Sequence, residues 1–89
     1  DSHTVLRDNQ KIKLSMREFS ILEYMIRNKE RVLSRESIEQ HIWDYGYEGG
    51  TNVVDVYIRY LRKKIDNGYS PKLIHTIRGL GYVLKVEDD

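Results

Sequence analysis

Apolar positions along this chain change their spacing twice, and each change marks a new set of elements. Residues 4–14, TVLRDNQKIKL, form two short strand-like pieces around Asp8-Asn9, a pair that tolerates positive φ, and predict a tight hairpin. From residue 15 the spacing lengthens to three and four. Phe19, Leu22, Met25 and Ile26 then fall on one helical stripe turned to a core, and Ser15 with Glu18 has the S-x-x-E spacing of a capping box. A helix is expected over 15–28. Ser34 caps a second, shorter helix over 35–43, with Glu36 in its first turn, Ile38 and Ile42 on one face, and Trp43 closing it. Asp44 to Gly50 holds three glycines and two tyrosines, too flexible for a helix and too aromatic for a mere spacer. Val54, Ile58, Leu61 and Ile65 stand at i, i+4, i+7 and i+11, so the third and longest helix is expected over 52–67, stopping at Asn67-Gly68. Beyond Pro71 the period drops to two. Residues 74–86 read as a second hairpin whose tip is Arg78-Gly79-Leu80-Gly81.

The order ββαααββ specifies an α+β fold of winged helix-turn-helix type: three helices, a C-terminal β-hairpin wing and a short N-terminal strand pair, in one domain over 4–86. Eighty-nine residues leave no room for a second domain, and 39% hydrophobic with 33% charged residues suits a thin core under a charged surface. The chain has no cysteine, and its histidines, His3, His41 and His75, stand far apart, so neither a thiolate metal site nor a cofactor is expected. No apolar run nears the roughly 18 residues of a membrane span, and a reducing, cytoplasmic setting is the plain expectation.

A formal charge of +1 conceals a split. Residues 52–86 carry seven basic and two acidic side chains, whereas residues 1–51 are nearly balanced. A basic half joined to a neutral half fits a domain with one face on a polyanion. With the core stripe of the third helix turned inward, Asn52, Val56, Arg59, Tyr60 and Lys63 cluster on its outer side at about 100° per residue. The cations suit phosphates, Asn52 and Tyr60 suit hydrogen bonding, and Val56, apolar amid polar neighbours, suits a thymine methyl. A solvated outer helix face would look similar by itself. Its coincidence with the basic segment, and with Arg78 at the wing tip where it can enter a minor groove, favours DNA. An enzyme is not expected: no carboxylate cluster or Ser-His-acid spacing is present. Gly79-Leu80-Gly81 lacks the third glycine and following helix of a dinucleotide fingerprint and reads as a turn.

Leu14-Ser15 with Glu18-Phe19, Leu33-Ser34-Arg35, Trp43, Val54-Asp55-Val56, Ile58, Leu61-Arg62-Lys63-Lys64-Ile65 and Thr76-Ile77-Arg78-Gly79-Leu80-Gly81-Tyr82 together resemble the C-terminal effector domain of OmpR/PhoB-type bacterial response regulators. The resemblance covers residues 11–86. It implies transcriptional regulation through tandem promoter sites, with the third helix in the major groove and the wing in the minor groove. It also implies phosphate contacts at Trp43, Asn52, Arg59 and Arg62, base reading at Val56, Tyr57 and Tyr60, and further interface positions at Val53, Lys63, Thr76, Arg78 and Tyr82. Tyr45, Tyr47 and Glu48 of the 44–51 loop would meet RNA polymerase.

Periodicity alone puts Arg62 on a flank, paired with Asp55, and its DNA role comes from the resemblance only. Family members carry a four-stranded sheet before the first helix, whereas fourteen residues precede Ser15 here. Asn52 and Tyr60 also replace arginines common in relatives. The chain is therefore expected to be an effector domain without its receiver domain, monomeric alone and pairing on DNA, with residues 1–3 a cloning remnant. The competing reading is a winged-helix protein-interaction module that uses the same helix without DNA.

Overall fold

In a computed structural model of the chain, which describes residues 3–42 and 50–86, Asp8 and Asn9 take φ of 52° and 66°. Two left-handed residues at a two-residue loop are what a right-twisted hairpin requires. They join β1 (Thr4–Arg7) to β2 (Gln10–Lys13), paired from Thr4↔Lys13 to Arg7↔Gln10. His3 belongs to this unit: its carbonyl accepts from the Leu14 N–H at 2.8 Å, and its ring lies 5.1 Å from that of Phe19.

Helix α1 (Met16–Arg27) starts at the expected capping box, with Ser15 Oγ accepting the Glu18 N–H and Glu18 Oε1 accepting the Ser15 N–H at 2.9 Å. Its inner face differs from the one expected. Ile21, Leu22 and Met25 are buried together with Glu18, Phe19 is half-buried, and Ile26 is 51% exposed. The apolar arc is wider than the buried one. Ile21 and the inward-turned Glu18 shift its centre by roughly 60° at 100° per residue, which leaves Ile26 on the rim. Helix α2 (Arg35–Ile42) buries Ile38 and Ile42, and Ser34 Oγ caps the Ser37 N–H at 3.0 Å. Trp43, expected to close it, lies outside the described residues.

Helix α3 (Thr51–Leu61) buries Val54, Ile58 and Leu61 as the stripe requires. It does not run on as an α-helix to residue 67. Arg62–Asp66 form a π turn, in which the Asn67 N–H reaches back five residues to the Arg62 carbonyl at 2.8 Å. Such a wide turn lets two successive residues, Ile65 and Asp66, both face inward. Asp66 Oδ1 accepts from Leu73 N and Oδ2 from Ile74 N, which starts the next strand.

The wing pairs β3 (Ile74–Ile77) with β4 (Gly81–Leu84) from Ile74↔Leu84 to Ile77↔Gly81. A turn closed by the Leu80 N–H on the Ile77 carbonyl at 2.9 Å joins them, with Gly79 at φ 78°. On its other edge β4 meets the connection between α1 and α2: Glu30 N donates to Leu84 O, Leu33 N to Tyr82 O, and Tyr82 N to Leu33 O. The core lies between the three helices and this sheet, and Leu33, Ile74, Tyr82 and Leu84 complete it.

Candidate nucleic-acid interface

Because Val54, Ile58 and Leu61 anchor α3 inward, its opposite side is fixed by geometry. Asn52, Arg59 and Tyr60 are exposed on α3 and Lys63 on the π turn, while Val56 is half-buried among them. Tyr57 and Val53, also expected at the interface, are half-buried and packed against the core. Tyr57 still meets Tyr60 edge to face, with centroids 6.1 Å apart and planes at 85°. At the other end of the site, Arg78 follows Ile77 in the wing turn and is exposed, with Leu80 63% exposed beside it.

The electrostatics of this face follow from where the two acidic residues of the basic segment go. Asp66 is 4% exposed and paired with Arg7 at 3.1 Å. Asp55 pairs with Arg35 of α2 at 2.8 Å and accepts the Tyr82 hydroxyl. Lys64 turns away to Glu18 at 2.7 Å, and Lys72 donates to the Asp66 and Tyr69 carbonyls. Arg59, Lys63 and Arg78 have no partner among the described residues. Both acids are thus matched by cations from other elements, and among the described residues the outward cations are left uncompensated. A groove of about 670 Å³, lined by Arg59, Arg62, Lys63, Lys72, His75 and Thr76 among others, runs beside α3 toward the wing.

Three expected site residues are engaged inside the protein. Arg62 does not pair with Asp55, which Arg35 already occupies. Its Nη2 instead donates to Thr76 Oγ1 at 2.5 Å and its Nε to the Ile74 carbonyl at 3.2 Å, with the guanidinium 5.6 Å from the Tyr82 ring centre. Tyr82 is buried, at 8% exposure, so it supports the wing from within. Burial and then the Asp55 carboxylate push its hydroxyl up to about 12. Thr76 is exposed, but its hydroxyl faces Arg62.

The sequence offers Arg35 only as a family motif residue and gives Asp55 to Arg62; twenty positions separate Arg35 from Asp55, and no periodic signal links them. Trp43, Tyr45, Tyr47 and Glu48 lie outside the described residues. His41 stacks on Tyr24 at 4.1 Å with planes 7° apart. Among the described residues no group of three or more side chains is placed to hold a metal ion, and no helix is long and apolar enough to cross a membrane.

A model of the family described as transcriptional regulatory protein, C terminal, matches residues 9–84. A probable transcriptional regulatory protein of Mycobacterium tuberculosis, TcrX, is 51% identical over 85 residues, which are 96% of this chain and 36% of TcrX. The chain spans little more than a third of the length of such curated relatives. Among solved structures, response regulator DrrB, an OmpR/PhoB homologue of Thermotoga maritima, is similar with a TM-score of 0.80 and 32% identity, covering 92% of this chain and 37% of DrrB. The DNA-binding domain of response regulator AdeR, solved in complex with an intercistronic region, gives a TM-score of 0.83 and 25% identity, covering 98% of this chain and 90% of that domain.

Proposed function

The chain belongs to the family of C-terminal winged-helix effector domains of OmpR/PhoB-type transcriptional regulators, and from that premise we propose that it binds double-stranded DNA at tandem promoter sites. Helix α3 enters the major groove and Arg78 of the wing the adjacent minor groove. The observation that carries this reading is the cationic face: Arg59 on α3, Lys63 on the π turn that follows it and Arg78 on the wing have no partner among the described residues, while Asp55 and Asp66 are neutralised from behind. AdeR's domain, of the same shape, was solved with DNA.

In this reading Arg59 and Lys63 neutralise phosphates, Asn52 donates to a phosphate or base, and Val56 and Tyr60 read bases through methyl contact and the hydroxyl. Tyr57 contributes as the edge against which Tyr60 is held, and Val53 shapes the base of the same face. The domain performs no chemistry itself. It acts as a monomer that pairs on tandem sites, and the 44–51 segment with Tyr45, Tyr47 and Glu48 meets RNA polymerase, an assignment supported by family likeness alone.

An amide-resolved NMR titration with a short A/T-containing duplex at low salt tests the proposal. Shifts concentrated at residues 52–63 and 76–82 that collapse as salt rises are expected, because phosphate contacts give a steep slope in log salt. Silence in both regions at near-millimolar duplex would defeat it and favour the protein-interaction reading.

A further inference from the structure

The wing of this domain is held to α3 and the π turn that follows it through both side chains of the cross-strand pair Thr76↔Tyr82, with the Ile74 carbonyl beside them. Directly opposed residues in an antiparallel pair project from the same face, so Thr76 and Tyr82 both address α3. Asp55, near the start of α3, takes the Tyr82 hydroxyl, and Arg62, seven residues later, takes Thr76 and the Ile74 carbonyl. Seven helical residues rise roughly 10 Å. The backbone bonds of β4 to Glu30 and Leu33 hold the hairpin along its other edge, and these two attachments, set that far apart, add a constraint on its tilt against α3. A two-stranded ribbon has little rigidity of its own.

We propose that Arg62 is a positioning residue which, through Thr76, sets the angle between the wing and α3 and thereby matches the two DNA-reading elements to adjacent grooves. The proposal rests on the DNA-binding reading above and gives Arg62 a role distinct from that of a phosphate contact. Two of its donors are committed to β3, and its guanidinium carbon lies over the Tyr82 ring. Its neighbours Arg59 and Lys63 have no partner among the described residues, so phosphates along α3 are supplied without it. The planar fork of arginine suits this task, since it presents Nε and Nη2 at fixed geometry to a carbonyl and a hydroxyl on one strand; a lysine ammonium cannot make both contacts in that geometry.

The test uses the whole chain with Arg62→Ala, Arg62→Lys, Thr76→Val and the Arg62→Ala/Thr76→Val double variant. In the free protein, residual dipolar couplings of the β3 and β4 amides report wing orientation relative to α3, independently of DNA. With DNA, affinity for A/T-flanked and G/C-flanked duplexes is measured across a salt series, beside the melting temperature of each variant. All three single variants are expected to reorient or broaden the wing couplings and to lose the A/T preference by about tenfold, the scale of one misread base pair. The double variant should be no worse than Arg62→Ala, and the salt slope should stay that of the parent.

Unchanged wing couplings in Arg62→Ala, with a slope shallower by about 0.9 and Thr76→Val silent, would show a phosphate contact and overturn the proposal. If Arg62→Ala does not fold, Arg62→Lys and Thr76→Val decide by the same readouts. If the parent binds no DNA, the functional reading fails and the couplings still decide whether Arg62 orients the wing.

Discussion

Gly81 shows how a single residue can carry a long-range constraint. It has φ 145°, and a Cβ built on it would lie 2.0 Å from the Leu33 carbonyl oxygen, which accepts the Tyr82 N–H in the extra strand contact. Gly79, two residues earlier, has φ 78° but open space around it. The two glycines therefore separate strain from collision. Gly79→Ala is expected to cost about 1–2 kcal/mol, the left-handed penalty alone. Gly81→Ala should cost 3 kcal/mol or more, on the order of backbone strain plus displacement of a packed strand, and should loosen the Leu33 contact. Urea denaturation of both variants checks the ranking, and equal losses would sink it. Sequence reading assigned both glycines to a turn, which is right for Gly79. The partner of Gly81 is a carbonyl 48 positions away in a segment with no strand pattern, and local spacing cannot reveal such an approach.

Among the elements, α1 and the π turn are coupled through Glu18. Its carboxylate closes the capping box on Ser15 and also pairs with Lys64, although its side chain is only 5% exposed. Burial pushes Glu18 up, but the Lys64 and Ser15 hydrogen bonds, with the lysine charge, outweigh it and hold the carboxyl below its ordinary value of 4.5. A lowered value means that the ionised form is favoured by folding. Its contribution is therefore present above pH 4.5 and is lost as pH falls through the lower folded value. Glu18→Gln should destabilise the domain by on the order of 1–2 kcal/mol at pH 7, and the gap to the parent should narrow progressively as pH falls below 4.5. Denaturation curves of both proteins across that range check it; a gap that stays constant would mean the charge plays no part. The capping box was readable from S-x-x-E spacing because it is local. That the same glutamate would be buried was not, since its second partner sits 46 positions away on a turn whose π geometry leaves no mark in a period-3.6 pattern. The same omission explains Ile26: with Glu18 drawn inward, the helix rotates and Ile26 goes to the rim.

At the scale of the whole molecule, the basic half was legible as a count of charges, and the direction of α3 as a period. The distribution of counter-charges was not, because each acid is matched by a cation from a distant element. Arg7 of the N-terminal hairpin is the clearest case. It donates to Asp66, to the Ile65 carbonyl at 2.5 Å and to the Pro71 carbonyl, and stacks 5.1 Å over the Tyr69 ring. The hairpin thus straps the π turn after α3 to the segment that leads into the wing. Arg7 and Arg59 are both single positive charges, yet the fold assigns them to opposite tasks. Removing Arg7 leaves Asp66 buried without its cation, so Arg7→Ala should destabilise by about 3 kcal/mol and leave the salt dependence of DNA binding unchanged wherever the domain remains folded. Removing Arg59, exposed and unpartnered among the described residues, should change stability by less than about 0.5 kcal/mol. It should also weaken binding to all sequences alike and flatten the log-log salt slope by about 0.9. Urea denaturation and a salt series on the two variants measure both quantities. A stability loss from Arg59→Ala comparable to that from Arg7→Ala would place Arg59 inside the fold, and an Arg7→Ala protein with a flattened slope would place the hairpin on the DNA.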